Sequence, residues 1–117
     1  MIPIKQKNLH NPQQGIVGDC YRACICSLLE ISDEGVENFV ENPDYPMNVV
    51  NFLKDKGFRI RHDTQPPKDI EFYIANGISP RGVRHSVIHS NGQLAHDPHP
   101  SNAGNIPDLY LWLEKRD

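Results

Sequence analysis

The sequence predicts an α+β domain, with helices first and an antiparallel β-sheet after them. Three observations carry this expectation. Apolar residues recur at helical spacing in the first half of the chain, from Ala23 to Leu29 and again from Val49 to Leu53. After Gly57 the period changes to two, beginning with Phe58-Arg-Ile-Arg-His62. Later, Asn91-Gly92 separates two strand-like runs and is the strongest short hairpin signal in the chain. Consecutive strands without intervening helices pair antiparallel and leave the helices to pack on the sheet.

In chain order, residues 1–13 form a polar, extended lead-in with prolines at 3 and 12. Gln14-Gly-Ile-Val-Gly18 is a glycine-bearing loop, and Gly18-Asp19 supplies a turn and a cap for a mostly buried helix from Cys20 to about Ile31. Ser32-Asp-Glu offers a new cap, with Val36, Phe39 and Val40 as a short helical face. Asn42-Pro-Asp-Tyr-Pro46 breaks the chain. Val49, Val50, Phe52 and Leu53 then form an amphipathic helix closed by Gly57 in the C-cap position. Strands are expected at 58–62 and at Ile70–Ala75, with Asn76-Gly and Ser79-Pro-Arg-Gly82 in a loop. Val83–Ser90 and Gln93–His96 form the hairpin. Its two-residue turn puts Ser90 opposite Gln93, Ile88 opposite Ala95 and Val87 opposite His96. Leu109-Tyr-Leu-Trp-Leu113 alternates as a final strand, although Asp108 could cap a helix there.

Length and charge bound the function. At 117 residues the chain, 1–117, is one domain, able to build a single core without metal or disulfide staples. A net charge of −3 and a pI near 6.0 argue against nucleic acid as a partner, and Arg59, Arg61, Arg81 and Arg84 form no continuous basic run. No apolar run approaches the roughly 20 residues of a membrane span, and the first residues, Met1-Ile-Pro-Ile-Lys-Gln-Lys, lack the apolar core of a secretory signal. Three cysteines within seven residues, an odd number, do not make a disulfide framework; the expectation is a reduced, cytoplasmic protein.

Two stretches carry chemistry. Cys20 falls in the first turn of its helix, where unpaired N–H groups and the positive end of the dipole favour a thiolate. The alternative is that it fills space as a small buried apolar residue. In the second stretch, Arg84 to Pro98, the hairpin brings His85 and Asp97 to the open ends of neighbouring strands, within reach of each other. A Cys–His–Asp set needs this: the imidazole takes the thiol proton and later protonates the leaving group, while the carboxylate fixes its tautomer. His89 shares a strand face with His85 and is the rival base, but lies nearer the turn.

Taken together, Gln14 six residues before Cys20, a cysteine opening a helix, a histidine starting a strand and an Asp-Pro after a hairpin resemble the papain-like cysteine peptidase superfamily. The His…Asp-Pro order is similar to that of the bacteriocin-processing peptidases, which remove double-glycine leader peptides. More narrowly, Gly-Asp-Cys-Tyr-Arg-Ala-Cys, Ser79-Pro-Arg-Gly and His96-Asp-Pro-His-Pro-Ser-x-x-Gly104 resemble a group of small phage and bacterial proteins. The resemblance spans roughly Gln14 to Gly104. It implies a papain-like fold with Cys20 as nucleophile, His85 as general base, Asp97 as its orienting group, and Gln14 with the Cys20 N–H as oxyanion donors. It implies no cofactor, a peptide or amide substrate or a host protein as partner, and, for a phage protein, the host cytoplasm. Tyr21 departs from the bacteriocin-processing pattern, where a glycine is common, and Cys24 and Cys26 add thiols.

Three readings therefore stand side by side: a thiol hydrolase, a catalytically silent papain-like binding protein, and a metal site drawn from Cys20, Cys24, Cys26, His85, His89, His96 and His99. The spacing Cys-x3-Cys-x-Cys is not that of a zinc knuckle. Cys24 and Cys26 read as helix packing, and His96 and His99 as structural or solvated. Arg81 and Arg84 are candidates to bind a carboxylate or phosphate. Tyr110 and Trp112 read as sheet packing.

Overall fold

Asp19 turns the chain into its first helix, α1 (Cys20–Leu29), in the computed structural model, which describes all 117 residues. Six of the ten residues of α1 are buried, Tyr21 and Ala23 through Ser27, so this helix lies inside the molecule rather than on it. It stops at Glu30, which takes the left-handed conformation (φ 58°) and places its N–H on the carbonyls of Cys26 and Ser27. The second helix, α2 (Met47–Asp55), buries Val49 and Leu53 one turn apart and shows its polar side to solvent.

The helix expected from Ser32 onward does not form. Only a single 3-10 turn, Phe39–Glu41, is present. Ser32 spends its hydroxyl on a local turn, accepting the Glu34 N–H, and Gly35 sits at φ 75°. Between that glycine and Pro43 too few residues remain for a helix to nucleate. The segment is instead pinned from outside: Arg22 donates to the Val36 carbonyl, Asn38 to the carbonyls of Val17 and Gly18, and Phe39 plugs the core at 1 % exposure.

Five strands follow: β1 (Phe58–Asp63), β2 (Tyr73–Ile78), β3 (Arg84–Ser90), β4 (Gln93–His96) and β5 (Ile106–Lys115). They form one antiparallel sheet in the order β1-β5-β2-β3-β4. The last strand in sequence is thus inserted between the first two. β2 starts three residues later than Ile70, and it contains Asn76-Gly77, which had the look of a loop. The reason is remote in sequence. A Cβ on Gly77 would come within 1.9 Å of the Ile106 carbonyl oxygen, so only glycine admits the close approach of β5 at the bulge beside Asn76.

The hairpin turn is as expected, with Asn91 (φ 52°) and Gly92 (φ 78°) both left-handed and Ser90 opposite Gln93. Beyond it the pairing slips. His89 faces Leu94 and Ile88 faces His96, not Ala95, which becomes the extra residue of a bulge. A slip of one residue exchanges faces. His96 therefore joins the Ile88 side and is buried against the N-terminal segment, its Nε2–H donating to the Ile4 carbonyl at 2.8 Å. The next residue, Asp97, meets His85.

One core joins the two layers: Tyr21, Cys24 and Ile25 of α1, Val49 and Leu53 of α2, and Ile74 and Ile88 of the sheet, with Phe39 between the helices. The radius of gyration, 13.4 Å, equals the roughly 13 Å of one domain of this length. No helix is long and apolar enough to cross a membrane.

Candidate active site

α1 delivers Cys20 as its first residue. Asp19, the residue before it, does not cap the helix with its side chain. Its buried carboxylate instead accepts the N–H groups of Lys7 (3.1 Å) and Asn8 (2.8 Å) and pairs with the Arg22 guanidinium. The N–H groups of Cys20, Tyr21 and Arg22 consequently have no acceptor within the protein. They leave the positive end of the helix open where the thiol stands. Cys20 is half-buried on a cleft of about 990 Å³, whereas Cys24 and Cys26 are fully buried. Burial pushes the Cys24 thiol well up, and pushes Cys26 up to about 11.

β3 delivers His85, and the chain leaving β4 delivers Asp97. The imidazole Nε2–H donates to Asp97 Oδ1 at 2.6 Å, with both groups almost wholly buried. Asp97 is held by more than the histidine. The His99 N–H donates to the same oxygen and the Gly104 N–H to the other, each at 2.9 Å. The segment from Asp97 to Gly104 is therefore a loop closed around its own first carboxylate. Asn102 and Gly104, both at positive φ, supply its sharp bends. Asn105 then donates to the carbonyls of His85 (2.7 Å) and Ala75 (3.1 Å) and braces the strand beneath the ring.

The electrostatics follow from these contacts. Burial works against the Asp97 charge, but the hydrogen bonds from His85, His99 and Gly104 prevail and hold its carboxyl down to about 2. Burial likewise works against a charged His85, yet the bond to Asp97 and the nearby Cys20 thiol raise its pKa to about 9. Asp97 occupies Nε2, so Nδ1 is the nitrogen left for the thiol. A sulfur at an open helix end, an imidazole beside it and a fixed carboxylate behind can exchange one proton between sulfur, nitrogen and a bound leaving group.

Of the residues singled out in the sequence, Cys20, His85 and Asp97 come together. Gln14 does not join them: it lies exposed in a 3-10 turn (Pro12–Gln14), outside the cleft lining. His89 packs edge-on against Tyr73 at 6.2 Å, and burial lowers its pKa. His99 lines the cleft, its ring perpendicular to His85 at 6.0 Å. Arg81 and Arg84 also line the cleft. Tyr110 packs on Tyr73 within the sheet, at 6.0 Å, and Trp112 pairs across to Arg61. The seven cysteines and histidines weighed as metal ligands do not converge, since no three His, Cys, Asp or Glu side chains are grouped to hold an ion.

Sequence reasoning missed Asn105 and Lys5. Lys5 Nζ donates to the carbonyl of Asp97 and to Asn102 Oδ1, both at 2.9 Å, tying the N-terminal segment to the loop. No sequence signal marks a lysine 92 residues away as a partner of Asp97. Asn105 was more accessible, as the polar residue between a turn glycine and a strand. Compared with family models, curated proteins and solved structures, the chain finds no match.

Proposed function

We propose that the chain is a papain-like cysteine hydrolase that cleaves an amide or related acyl bond, with Cys20 as nucleophile, His85 as base and acid, and Asp97 as its orienting group. One observation supports this above all: His85 is held between the Cys20 thiol and a buried carboxylate fixed by three donors. In the proposed reaction His85 Nδ1 already holds the proton drawn from the thiol when Sγ attacks the carbonyl carbon. The C–N bond breaks as His85 returns that proton to the leaving nitrogen, leaving a thioester. Water then attacks the thioester, gives a proton to His85, and releases the acid and the thiol. The open N–H of Cys20 is an oxyanion donor of the required kind.

A second reading, a silent binding domain, draws support from Gln14, whose side chain is not in place as a second oxyanion donor. The two readings separate on turnover of an unbiased peptide-amide library. A hydrolase loses about 10²–10⁴-fold in kcat/KM on His85→Ala and all turnover on Cys20→Ser. Absence of Cys20-dependent cleavage across the library would leave only the binding reading.

A further inference from the structure

The charge of the cleft is opposite to that of the chain. The protein carries a net charge of −3, yet none of the 21 residues lining the cleft is an aspartate or glutamate, while three of them, Lys7, Arg81 and Arg84, are basic, Lys7 pairing with Asp33 at 3.5 Å. The two arginines differ in one respect. Arg84 is already committed, with its guanidinium on both oxygens of Asp108 at 2.9 and 2.6 Å and on Asn76. Arg81 has no carboxylate partner. Its Nη1 donates to Ser101 Oγ at 3.1 Å. That hydroxyl lies 2.9 Å from His99 Nδ1, and the His99 ring stands edge-on to His85. Arg81 is thus aimed from the histidine side of the cleft by a short chain of contacts that ends on the base itself. Apolar side chains occupy the side of α1: Val40 and Tyr45, both exposed, beside Tyr21.

We propose that Arg81 selects substrates whose leaving portion bears a carboxylate, so that the cleft joins an apolar acyl residue to an anionic amine such as a C-terminal amino acid. The inference rests on the hydrolase reading for its polarity. His85 must protonate the departing nitrogen, so the leaving group lies on the His85 side, where Arg81 is, and the acyl group lies toward Cys20 and the apolar side chains. A planar guanidinium with a free edge matches a carboxylate by two parallel hydrogen bonds.

The test compares N-acyl dipeptides that differ only at the terminus, a free carboxylate against its carboxamide, and a third set with an aspartate side-chain carboxylate before a terminal amide. The readout is the acid-to-amide ratio of kcat/KM. In the native protein the ratio is expected at about two- to fivefold, falling to about one in Arg81→Gln and inverting in Arg81→Glu. Preference for the free terminus over the aspartate series identifies the α-carboxylate as the anion, and the reverse identifies a side-chain one. A native ratio of one, or a ratio unmoved by Arg81→Gln, overturns the proposal while Cys20-dependent cleavage still upholds the hydrolase. Calorimetry of the same peptides with Cys20→Ser separates the two ideas from the other side. Arg81-dependent preference for the acid in binding, without turnover by the native protein, keeps the anion site and removes the hydrolase. Equal binding of acid and amide, or binding of neither, removes the anion site.

Discussion

On the histidine side of the cleft, polar groups are buried and densely hydrogen-bonded: Asp97 accepts three N–H donors, His85 is 4 % exposed, and the Asn105 amide N–H groups tie down two carbonyls beneath it, with only its Oδ1 left without a partner. The stretch from Leu9 to Val17, which lines another part of the same cleft, is almost wholly exposed. It closes mainly on itself, through the reciprocal backbone bonds of Asn11 and Ile16 at 2.9 Å, and is tied to the rest of the fold by Asn38 on the Val17 carbonyl at its end. The difference follows from what each side must hold. A buried charge costs several kcal/mol unless its hydrogen bonds are complete, so the Asp97 loop has little freedom. A neutral loop that meets only solvent and substrate carries no such cost and can remain adaptable.

The sharpest way to break this contrast is to unpair the buried side. Asp97→Asn keeps the shape but loses the charge, and it should lower hydrolysis by about 10²–10⁴-fold with the fold retained. Asp97→Ala strands a buried imidazole and two N–H groups and should cost about 3–5 kcal/mol in urea unfolding. If Asp97→Ala is as stable as the native protein, the loop is not organised by its carboxylate.

Cysteine reactivity should show the next largest effect. Cys20 opens on the cleft, whereas Cys24 and Cys26 are fully buried with thiols pushed upward. Limited iodoacetamide at pH 6 with peptide mapping should modify Cys20 first, by about 100-fold or more. Equal labelling of the three in the folded protein would remove Cys20 from its role.

Acidity probes the same pair. His85 is raised from an ordinary 6.5 to about 9, so its contribution to stability is complete below about 6.5 and lost as pH rises through 9. Asp97 is lowered from 3.8 to about 2, so its contribution is complete above about 3.8 and lost as pH falls through 2. Both describe one shared interaction, fully present between about pH 4 and 6.5. In the proposed reaction His85 above about pH 9 would also lack the proton for the leaving group, and kcat/KM should fall roughly tenfold per unit. An alkaline limb near pH 7 would contradict the raised histidine.

The smallest effect belongs to the exposed stretch. Gln14→Ala should change kcat/KM by less than about threefold, because nothing holds that side chain toward Cys20. A loss of 10²-fold or more would show instead that the turn swings inward and that Gln14 donates to the oxyanion.

What the sequence disclosed, and what it hid, divides along similar lines. Local signals were legible: the apolar spacing behind α1 and α2, the switch to period two after Gly57, and the Asn91-Gly92 turn. Signals set by distant partners were not. Gly77 reads as a loop residue until Ile106 is seen pressing on it, and the bulge at Ala95 leaves no mark in the spacing of β4. Ser32-Asp-Glu has the composition of a cap, but Gly35 and the bonds drawn from Arg22 and Asn38 decide otherwise. At the site, the meeting of His85 with Asp97 could be read from the hairpin. The loop that fixes Asp97 could be seen only as a motif, and the placement of Gln14 away from the cleft could not be seen at all.

The position of β5 between β1 and β2 also governs when the site can exist during synthesis. β1 pairs with no strand but β5, and β2 has only β3 on its other side until β5 arrives. A ribosome that has released everything through Gly104 has made Cys20, His85 and Asp97, yet β1 is still without a neighbour in the sheet and Asn105 has not yet emerged to brace His85. The nascent chain therefore carries its reactive groups on a sheet still lacking the strand between β1 and β2, and loop closure over about 50 residues sets the pace at which β1 and β5 meet. The sheet that carries His85 is thus completed last, by a strand that contributes no residue of the Cys20–His85–Asp97 set.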